Sequence, residues 1–359
     1  MMRTGCIPGL SASVVDADGL ILSAAWGWAN LEEDIPATVE TPFMIASTSK
    51  AVDAAALLIA EEEGLVDRNA PVSDLVGFEV RNERLRGGET IRLKHLLTHS
   101  SGIQDNWEEV LIDSYGPGDP EESLGEFMEN YLTPDGAYFD RHDNYYLWPA
   151  GREWMYSNVG AALSAYTVEV QSGVPFDDFC KQRLFEPLGM NHSGWFLADF
   201  PDEAAVARPH VIKDGAWVAE EHYGYPTWPD GQLRSTATDI GQILRLRLAD
   251  GTVDGETLLA PGATDALSTE LVDGLDDWYL GSNMEAQYYL WFGMTLGDRW
   301  LIGHDGDDEG VTSEMFYDPE TGVGVTVIGN VVDWLIGAET RTQTAALQQR
   351  LYEIGEASQ

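Results

Sequence analysis

Ser47-Thr48-Ser49-Lys50 runs directly into Ala51-Val52-Asp53-Ala54-Ala55-Ala56-Leu57-Leu58-Ile59-Ala60, a segment dominated by alanine and aliphatic residues. Alanine and leucine are strong helix formers, and Gly64 can adopt the left-handed conformation that commonly ends a helix. The pattern predicts a buried helix that begins near Ser47. Lys50 follows Ser47 by three residues, which places the two side chains on one face of the first turn.

A serine at the first turn of a helix lies in a favourable place for nucleophilic chemistry. Unpaired backbone N–H groups and the positive end of the helix dipole favour an anion there. The amine of Lys50 comes within reach of the Ser47 oxygen, and this spacing is typical of a Ser–Lys nucleophile pair. A capped helix with a solvated Lys50 is the alternative that the spacing alone leaves open.

Charge and composition exclude several classes of partner. The chain of 359 residues has 61 acidic and 20 basic residues, a formal net charge of −41, and 44% hydrophobic residues. That hydrophobic fraction is enough for a sizeable core, whereas the negative surface repels nucleic acid and anionic membranes. The acidic residues are spread along the whole chain, which suggests a role in solvation, such as adaptation to high salt.

Cysteine content and hydropathy suggest a soluble protein without a cofactor. Cys6 and Cys180 are the only cysteines, and no Cys/His cluster is present, so we predict reduced thiols and no metal site. No apolar run is long enough to cross a bilayer, and residues 1–6 are too short for a secretory signal. We therefore expect a cytoplasmic location; the oligomeric state stays open.

Strand patterns occur at both ends of the chain. Residues 10–16 and 20–27 read as a hairpin, and four further strands are predicted at 288–295, 300–303, 312–317 and 324–329. A helix over 338–354 closes the chain. Helices are predicted between the two sets of strands, over 91–99, 121–132, 158–171, 176–184 and 235–248.

This order of elements predicts an α+β fold. One antiparallel sheet would be built from both termini and flanked by helices, with a large all-helical domain inserted. We place residues 1–64 and 250–359 in the sheet-plus-helices domain and residues 65–249 in the mainly helical domain. The active site would lie between the two domains.

Two distant segments supply the groups that a Ser–Lys pair needs. Trp154-Met155-Tyr156-Ser157-Asn158 places a phenol and an amide two residues apart before a predicted helix. Ile302-Gly303-His304-Asp305-Gly306-Asp307 places a histidine at a strand edge, followed by Gly306, where a substrate can approach the backbone closely. The backbone N–H groups of Ser47 and Asp307 are the predicted oxyanion hole.

Together these groups form a complete set for acyl transfer. Ser47 would attack a carbonyl carbon, and Lys50 with Tyr156 would accept its proton and return it to the leaving group. Asn158 would hold either Lys50 or the substrate amide, and His304 would tune the phenol. Water would then repeat the sequence and release the acid.

The chain resembles the serine β-lactamase and penicillin-binding-protein superfamily, on its class C β-lactamase, esterase and D-aminopeptidase branch. Besides Ser-x-x-Lys and Tyr-x-Asn, the resemblance rests on Pro8-Gly9-Leu10-Ser11, Leu96-Leu97-Thr98-His99-Ser100-Ser101-Gly102, Pro187-Leu188-Gly189-Met190, Leu233-Arg234-Ser235-Thr236-Ala237-Thr238-Asp239 and Gly303-His304-Asp305-Gly306. It implies a sheet-plus-helices domain, an all-helical domain and an active site between them. It also implies catalytic roles like those above for Ser47, Lys50, Tyr156, Asn158 and His304.

One motif departs from the family pattern. His304-Asp305-Gly306 stands where many β-lactamases have Lys-Thr-Gly, so a permanent cation is replaced by a residue that titrates at about pH 6.5. We expect the acidic residues that follow, Asp307, Asp308 and Glu309, to favour the charged form of His304. They also repel an anionic substrate, which argues against a β-lactam or a peptide carboxylate as the preferred ligand.

Other conspicuous residues have a structural and a functional interpretation. His95 and His99 are four residues apart, as in a metal pair, but the segment lacks the glutamate of a zinc motif, which favours packing. Aromatic residues are dense in the loops of the helical part, and packing accounts for most of them. The functional alternative is a rim that grips an apolar group of the substrate, with Gly306, Trp107, Tyr145 and Trp228 as the substrate-binding candidates.

The sequence therefore predicts a serine hydrolase that cleaves carboxylic esters or amides through an acyl-enzyme on Ser47. Within the same chemistry, a D-amino-acid peptidase or a weak β-lactamase is the alternative. A catalytically inactive binding scaffold is a second alternative from a different class. The expected substrate is a small ester, an amide or a short peptide.

Overall fold

A computed structural model of the chain describes residues 7–85, 87, 90–272, 284–332 and 338–359, the last range without the side chains of 338–341. Cys6 lies outside the described residues, and Cys180 is a buried free thiol. No helix in these ranges is long and apolar enough to cross a membrane.

The strands are β1 (Gly9–Val15), β2 (Leu20–Asn30), β3 (Ile35–Pro36), β4 (Phe43–Met44), β5 (Gly116–Pro117), β6 (His210–Lys213), β7 (Ala216–Ala219), β8 (Tyr223–Gly224), β9 (Arg234–Ser235), β10 (Thr252–Val253), β11 (Glu256–Thr257), β12 (Ala286–Gln287), β13 (Phe292–Leu296), β14 (Arg299–Asp308), β15 (Val311–Asp318) and β16 (Val323–Gly329). The α-helices are α1 (Ser49–Glu62), α2 (Val72–Val76), α3 (Leu93–Leu97), α4 (Ile112–Ser114), α5 (Leu124–Leu132), α6 (Asn158–Ser172), α7 (Phe176–Cys180), α8 (Glu186–Leu188), α9 (Ala237–Leu248) and α10 (Ala338–Glu356).

The main sheet joins the two ends of the chain. Its strand order is β12-β13-β14-β15-β16-β1-β2-β3, and neighbouring strands are antiparallel. β1 lies between β2 and β16, with Leu10 opposite Gly329 and Val14 opposite Val325. The predicted α+β architecture, with one antiparallel sheet made from both termini, is confirmed.

Helices cover both faces of this sheet. On one face, α10 packs Leu351 and Tyr352 against the apolar side chains of β1, β15 and β16, and the Tyr352 hydroxyl donates to the Phe316 carbonyl at 3.1 Å. On the other face, α9 lies against β1 and β16, and the Ser13 hydroxyl donates to the Ala237 carbonyl at 2.6 Å. Helix α9, which the predicted division at residue 249 assigns to the helical domain, therefore packs on the sheet, and the division itself stays a prediction.

Helix α1 lies at the centre of the molecule. Every residue from Ser49 to Ala60 is buried, and the helix contacts both α6 and β14. Alanines fill much of its surface and let the neighbouring backbones approach closely. Gly64 follows with φ 72°, the left-handed conformation predicted for the end of this helix. The helix therefore connects the sheet to the helical part.

Two local predictions differ from the structure. The segment between Leu65 and Leu233 contains a hairpin, β6–β7, that the sequence pattern did not reveal because its strands are only four residues long. Of the strand predicted at 288–295, only 292–295 is extended, in β13, whereas 288–291 form the connection from β12 to β13, where Leu290 has φ 53°. Both differences lie outside the segments that carry the predicted chemistry.

Candidate active site

Ser47 lies in a single 3₁₀ turn, Ala46–Thr48, immediately before α1. β4 fixes the entry to this turn, because it pairs with β9 and the Ile45 N–H donates to the Leu233 carbonyl at 2.9 Å. Ala46 has φ 46°, a left-handed conformation that a residue with a side chain adopts only under constraint. Of residues 41–50, only Ser47 is not fully buried, so the turn presents its hydroxyl to the outside.

Lys50, three residues after Ser47, is fully buried in the first turn of α1. Its Nζ donates to the Ser47 hydroxyl at 3.0 Å and to the Asp230 carbonyl at 2.5 Å, and it lies 5.0 Å from the centre of the Tyr156 ring. Burial acts to lower the pKa of Lys50, but the Tyr156 hydroxyl and the carboxyls of Asp230 and Asp105 outweigh burial and raise it. Lys50 is therefore protonated in the resting protein.

Tyr156 completes the group around the Ser47 hydroxyl. Its own hydroxyl is buried and forms no well-aligned hydrogen bond within the described structure. Burial raises the pKa of Tyr156, whereas the charge of Lys50 and the side chains of Ser47 and Lys50 near its hydroxyl oppose that shift. The alcohol, amine and phenol that the sequence predicted to meet thus lie together.

Asn158 makes a different contact from the predicted one. Its amide nitrogen donates to Asp105 Oδ2 at 2.9 Å, and its backbone N–H donates to the same oxygen at 2.8 Å. The observed hydrogen bonds of Lys50 go instead to Ser47 and to the Asp230 carbonyl. Among the described residues Asn158 therefore bonds to Asp105 rather than to Lys50, and its other predicted role, holding the substrate amide, stays a prediction.

Asp105 is a site residue that the sequence analysis missed. Besides its two bonds from Asn158, it accepts from the Ser157 hydroxyl and the Val159 N–H, each at 3.1 Å. These donors form the first turn of α6, where an anion is favoured by the free N–H groups and the helix dipole. Asp105 therefore fixes the start of α6 and, with it, the backbone that carries Tyr156.

His99 is a second residue whose position was not predicted. Its ring stacks on Tyr156 with centroids 4.3 Å apart, and its Nδ1 accepts from the Ser157 N–H at 3.2 Å. Burial lowers the pKa of His99 well below its usual range, and the nearby Lys50 and His304 add to that effect. In the ranges that the structure describes, no three His, Cys, Asp or Glu side chains are arranged to hold a metal ion.

β14 brings the third predicted segment to Ser47. Its pairing with β13 ends where Gly303 faces Phe292, whereas its pairing with β15 continues to Asp308. A Cβ atom at Gly306 would lie 2.6 Å from the Ile45 carbonyl and 2.8 Å from the Ser47 nitrogen, so only glycine permits this approach. The strand edge thus runs beside the Ser47 N–H, and the pairing of that N–H with the Asp307 N–H as an oxyanion hole stays a prediction.

His304 is not the charged residue that we expected. It is buried, its Nδ1 contacts the Asp305 carbonyl at 2.5 Å, and the Phe292 ring packs edge-on at 5.0 Å. Burial and the charge of Lys50 lower the pKa of His304 to about 3. The nearby carboxyls therefore do not keep it charged, because loss of hydration dominates. Its ring centre lies 6.2 Å from that of Tyr156.

Two of the predicted substrate-binding aromatics belong to the core. Tyr145 is fully buried and its hydroxyl donates to the Leu132 carbonyl at 3.3 Å. Trp228 is buried among Phe176, Trp195 and Phe196. Neither side chain can contact a substrate, so both assignments are wrong. Trp107, in contrast, is 43% exposed, and its ring centre lies 6.4 Å from that of Tyr115.

Carboxyl groups lie close to Lys50 on several sides. Burial raises the pKa of Asp53 well above its usual range and raises the pKa of Asp230 to about 7, although Lys50 opposes both shifts. Both oxygens of Asp53 are buried without a hydrogen bond in the described structure. Burial also raises the pKa of Asp308 to about 6. The surroundings of Ser47 are therefore rich in acidic groups.

Comparison with known proteins gives concordant matches. The family model described as Beta-lactamase matches residues 1–349. Penicillin-binding protein 4* of Bacillus subtilis (strain 168) is 28% identical over 190 residues, 51% of this chain and 37% of that protein. Penicillin-binding protein 4 of Amycolatopsis lactamdurans is 27% identical over 340 residues, 90% of this chain and 81% of that protein. The chain thus spans little more than a third of the first relative and most of the second.

A solved structure extends the match to the fold. The D-amino acid amidase from Ochrobactrum anthropi SV3, in complex with L-phenylalanine, superposes with a TM-score of 0.75. The two chains are 20% identical, and the match covers 98% of this chain and 96% of that one. At that identity the likeness shows a common fold.

Proposed function

This chain belongs to the beta-lactamase family, and from that premise we propose that it is a serine acyl hydrolase that cleaves small carboxylic esters or amides through an acyl-enzyme on Ser47. The observation that carries the proposal is the 3.0 Å hydrogen bond from a buried Lys50 to the one hydroxyl of the turn that faces outward. The names of the relatives, penicillin-binding proteins and a D-amino acid amidase, support acyl chemistry on amides.

Each step of the proposed reaction uses a group near Ser47. The Ser47 oxygen attacks the carbonyl carbon, and its proton passes to the Lys50–Tyr156 pair once that pair has lost one proton. The carbonyl oxygen, now negative, accepts hydrogen bonds from the N–H groups of Ser47 and Asp307. The same proton then reaches the leaving group, and the carbon–leaving group bond breaks. A water molecule attacks the resulting ester in the same way and releases the acid.

The surrounding residues act by position. Asp105 and Asn158 hold the start of α6, and with it the Tyr156 backbone. His99 stacks on the Tyr156 ring and limits its rotation. His304 is neutral, so it offers no charge to hold a substrate carboxylate. This arrangement suits hydrolysis of esters or amides better than recognition of an anionic β-lactam.

The experiment that tests the proposal is hydrolysis of p-nitrophenyl acetate by the protein and by Ser47→Ala. We expect turnover by the unaltered protein and a rate indistinguishable from the buffer background for Ser47→Ala. Ser358→Ala, in an exposed residue two positions after α10, is the matched control and should retain full activity. Turnover that survives in Ser47→Ala would refute the assignment.

A further inference from the structure

Asp308 lies at the end of the strand edge that passes Ser47. It is the last residue of β14 and points to the same face of the strand as His304 and Gly306, since side chains alternate along a strand. Its Oδ1 accepts from the Glu309 N–H at 2.7 Å. Among the described residues, its Oδ2 accepts two long bonds, from the hydroxyls of Tyr115 at 3.3 Å and Tyr225 at 3.4 Å.

The hydrogen-bonding capacity of Asp308 is not exhausted by these contacts. A carboxylate offers about four acceptor positions, and the two tyrosine bonds are near the limit of hydrogen-bond length. The side chain is only partly buried, and it forms no ion pair within the described ranges. A partly buried carboxylate without a cation is a favourable partner for a donor carried by a ligand.

Aromatic rings surround this carboxylate. Tyr115 lies 4.6 Å from Tyr225 and 5.7 Å from Tyr223, measured between ring centres. Tyr223 and Tyr225 are buried, whereas Tyr115 is partly exposed and Trp107, whose ring centre lies 6.4 Å from that of Tyr115, is exposed, so these two rings form the accessible aromatic surface. The faces of aromatic rings attract cations, so this surface favours the same sign of charge as Asp308 does.

The distance from Asp308 to the reacting centre suits the acyl part of a small substrate. Gly306 lies beside the Ser47 nitrogen, and two residues of a strand span about 7 Å. A hydrogen bond of about 2.8 Å and the reach of the aspartate side chain cover most of that distance. A hydrogen-bond donor on the acyl group can therefore reach the Asp308 carboxylate when it lies only a few bonds from the carbonyl carbon.

We propose that Asp308, with Tyr115 and Tyr225, selects substrates whose acyl part carries a protonated amine close to the scissile carbonyl, such as amino acid amides and short peptides with a free amino terminus. This inference rests on the proposed function of the Ser47 site. It adds a specificity-determining residue outside the groups that perform the acyl transfer.

The test compares three alanine p-nitroanilides, each in D and L form. The acyl part carries a free amine in the first, an N-acetyl group in the second and an N-succinyl group in the third, so its charge is positive, neutral or negative. We expect kcat/KM for the cationic substrate to exceed that for the neutral one by about tenfold or more, with the anionic one lowest. An anionic substrate that equals or exceeds the cationic one would overturn the inference.

The variant Asp308→Asn separates the local carboxylate from the net charge of −41. The ratio of the cationic to the neutral kcat/KM should fall towards one in Asp308→Asn. It should stay unchanged in Glu256→Gln, which removes one exposed charge on β11. If Asp308→Asn does not fold, Tyr115→Leu, in the loop after α4, should lower the same ratio. An unchanged ratio in a folded Asp308→Asn or Tyr115→Leu would overturn the assignment.

Failure of this inference can be told apart from failure of the proposed function. If hydrolysis of p-nitrophenyl acetate depends on Ser47 but the charge preference is absent, only the role of Asp308 is refuted. If no substrate of either set is turned over in a Ser47-dependent way, the proposed function is refuted, and the inference falls with it.

Discussion

Two polar clusters, one at the start of α1 and one at the start of α6, satisfy their hydrogen bonds differently. In the Ser47 centre, which comprises Ser47, Lys50, Asp53 and Tyr156, the Asp53 oxygens and the Tyr156 hydroxyl are buried without a well-aligned partner among the described residues. In the Asp105 cap, which comprises Asp105, Ser157, Asn158 and Val159, the carboxylate accepts four hydrogen bonds of 2.8–3.1 Å.

The difference indicates which cluster holds the fold together and which is reserved for a ligand. A buried polar atom without a hydrogen bond costs about 1–3 kcal/mol, so a cluster with several such atoms lowers stability. Proteins retain that cost where function requires it. The Asp105 cap supports the chain, whereas the Ser47 centre keeps groups available for chemistry. Substitutions in the two clusters should therefore have different consequences.

Among substitutions of residues other than Ser47, the largest effect is expected from Lys50→Met. The change removes the group that accepts the Ser47 proton, so kcat/KM for p-nitrophenyl acetate should fall on the order of 10⁴-fold. Lys213→Met removes an exposed lysine on β6 and should leave activity unchanged. Steady-state kinetics of the two variants provide the measurement, and a loss of less than tenfold in Lys50→Met would contradict the role of Lys50.

Asp105→Asn tests the supporting cluster. The substitution replaces the negative carboxylate that four donors share by a neutral amide. We therefore expect a loss of about 1–3 kcal/mol in the free energy of unfolding and a fall in kcat of about 10- to 100-fold. Asp119→Asn is the matched control, since Asp119 accepts from the N–H groups of Leu197 and Ala198 at 2.8 and 3.1 Å. Urea denaturation should show destabilisation in both variants, but kcat should fall only in Asp105→Asn. Equal effects of the two substitutions on kcat would contradict the role of Asp105 in positioning Tyr156.

His304→Gln tests how strongly burial acts beside the Ser47 centre. The pKa of His304 is about 3 in the folded protein and about 6.5 when unfolded, so its neutral form stabilises the fold above pH 6.5. As the pH falls towards 3, the unfolded chain takes up a proton that the folded chain does not, and this stability is lost. Between pH 8 and pH 5, the free energy of unfolding of the wild type should fall by about 2 kcal/mol more than that of His304→Gln. A stability difference that is constant between pH 8 and pH 5 would show that His304 titrates normally.

Asp53→Val is expected to have the smallest effect, and it should be an increase in stability. The change removes two buried oxygens without partners, and valine and aspartate have similar helix propensities. The free energy of unfolding should rise by about 1 kcal/mol. Asp53→Asn keeps a polar group at the same place and should bring no gain. If both variants are destabilised equally, Asp53 has a structural partner and the contrast between the clusters is weaker.

The sequence was sufficient to predict the fold and the proximity of Ser47 and Lys50 because local patterns encode both. Alternating strands at the two termini and the alanine-rich helix after Ser47 are visible without any contact information. The spacing from Ser47 to Lys50 fixes their proximity on one helix, and the observed distance is 3.0 Å. The position of α9 could not be predicted, because a helical pattern does not say which layer the helix joins.

Contacts between distant residues were the main omission. Asp105 precedes its partner Ser157 by 52 residues, and no local pattern connects them. An available signal was a lone aspartate three residues after Ser101-Gly102, close to a motif already identified. The substrate-binding role predicted for Trp228 was wrong for another reason. Trp107 and Trp228 both lie in aromatic-rich segments, but Trp107 is exposed and Trp228 is buried. Amino-acid composition does not distinguish aromatic residues at the rim of a binding site from those in the hydrophobic core.

The central claim is that the Ser47 hydroxyl is the nucleophile, and the most direct test is the site of covalent modification. The protein would be treated with a fluorophosphonate, its intact mass measured, and the modified residue located by fragmentation of its peptides. We predict one adduct per chain, on Ser47, and no adduct in Ser47→Ala. An adduct on another residue, or equal labelling of Ser47→Ala, would contradict the account.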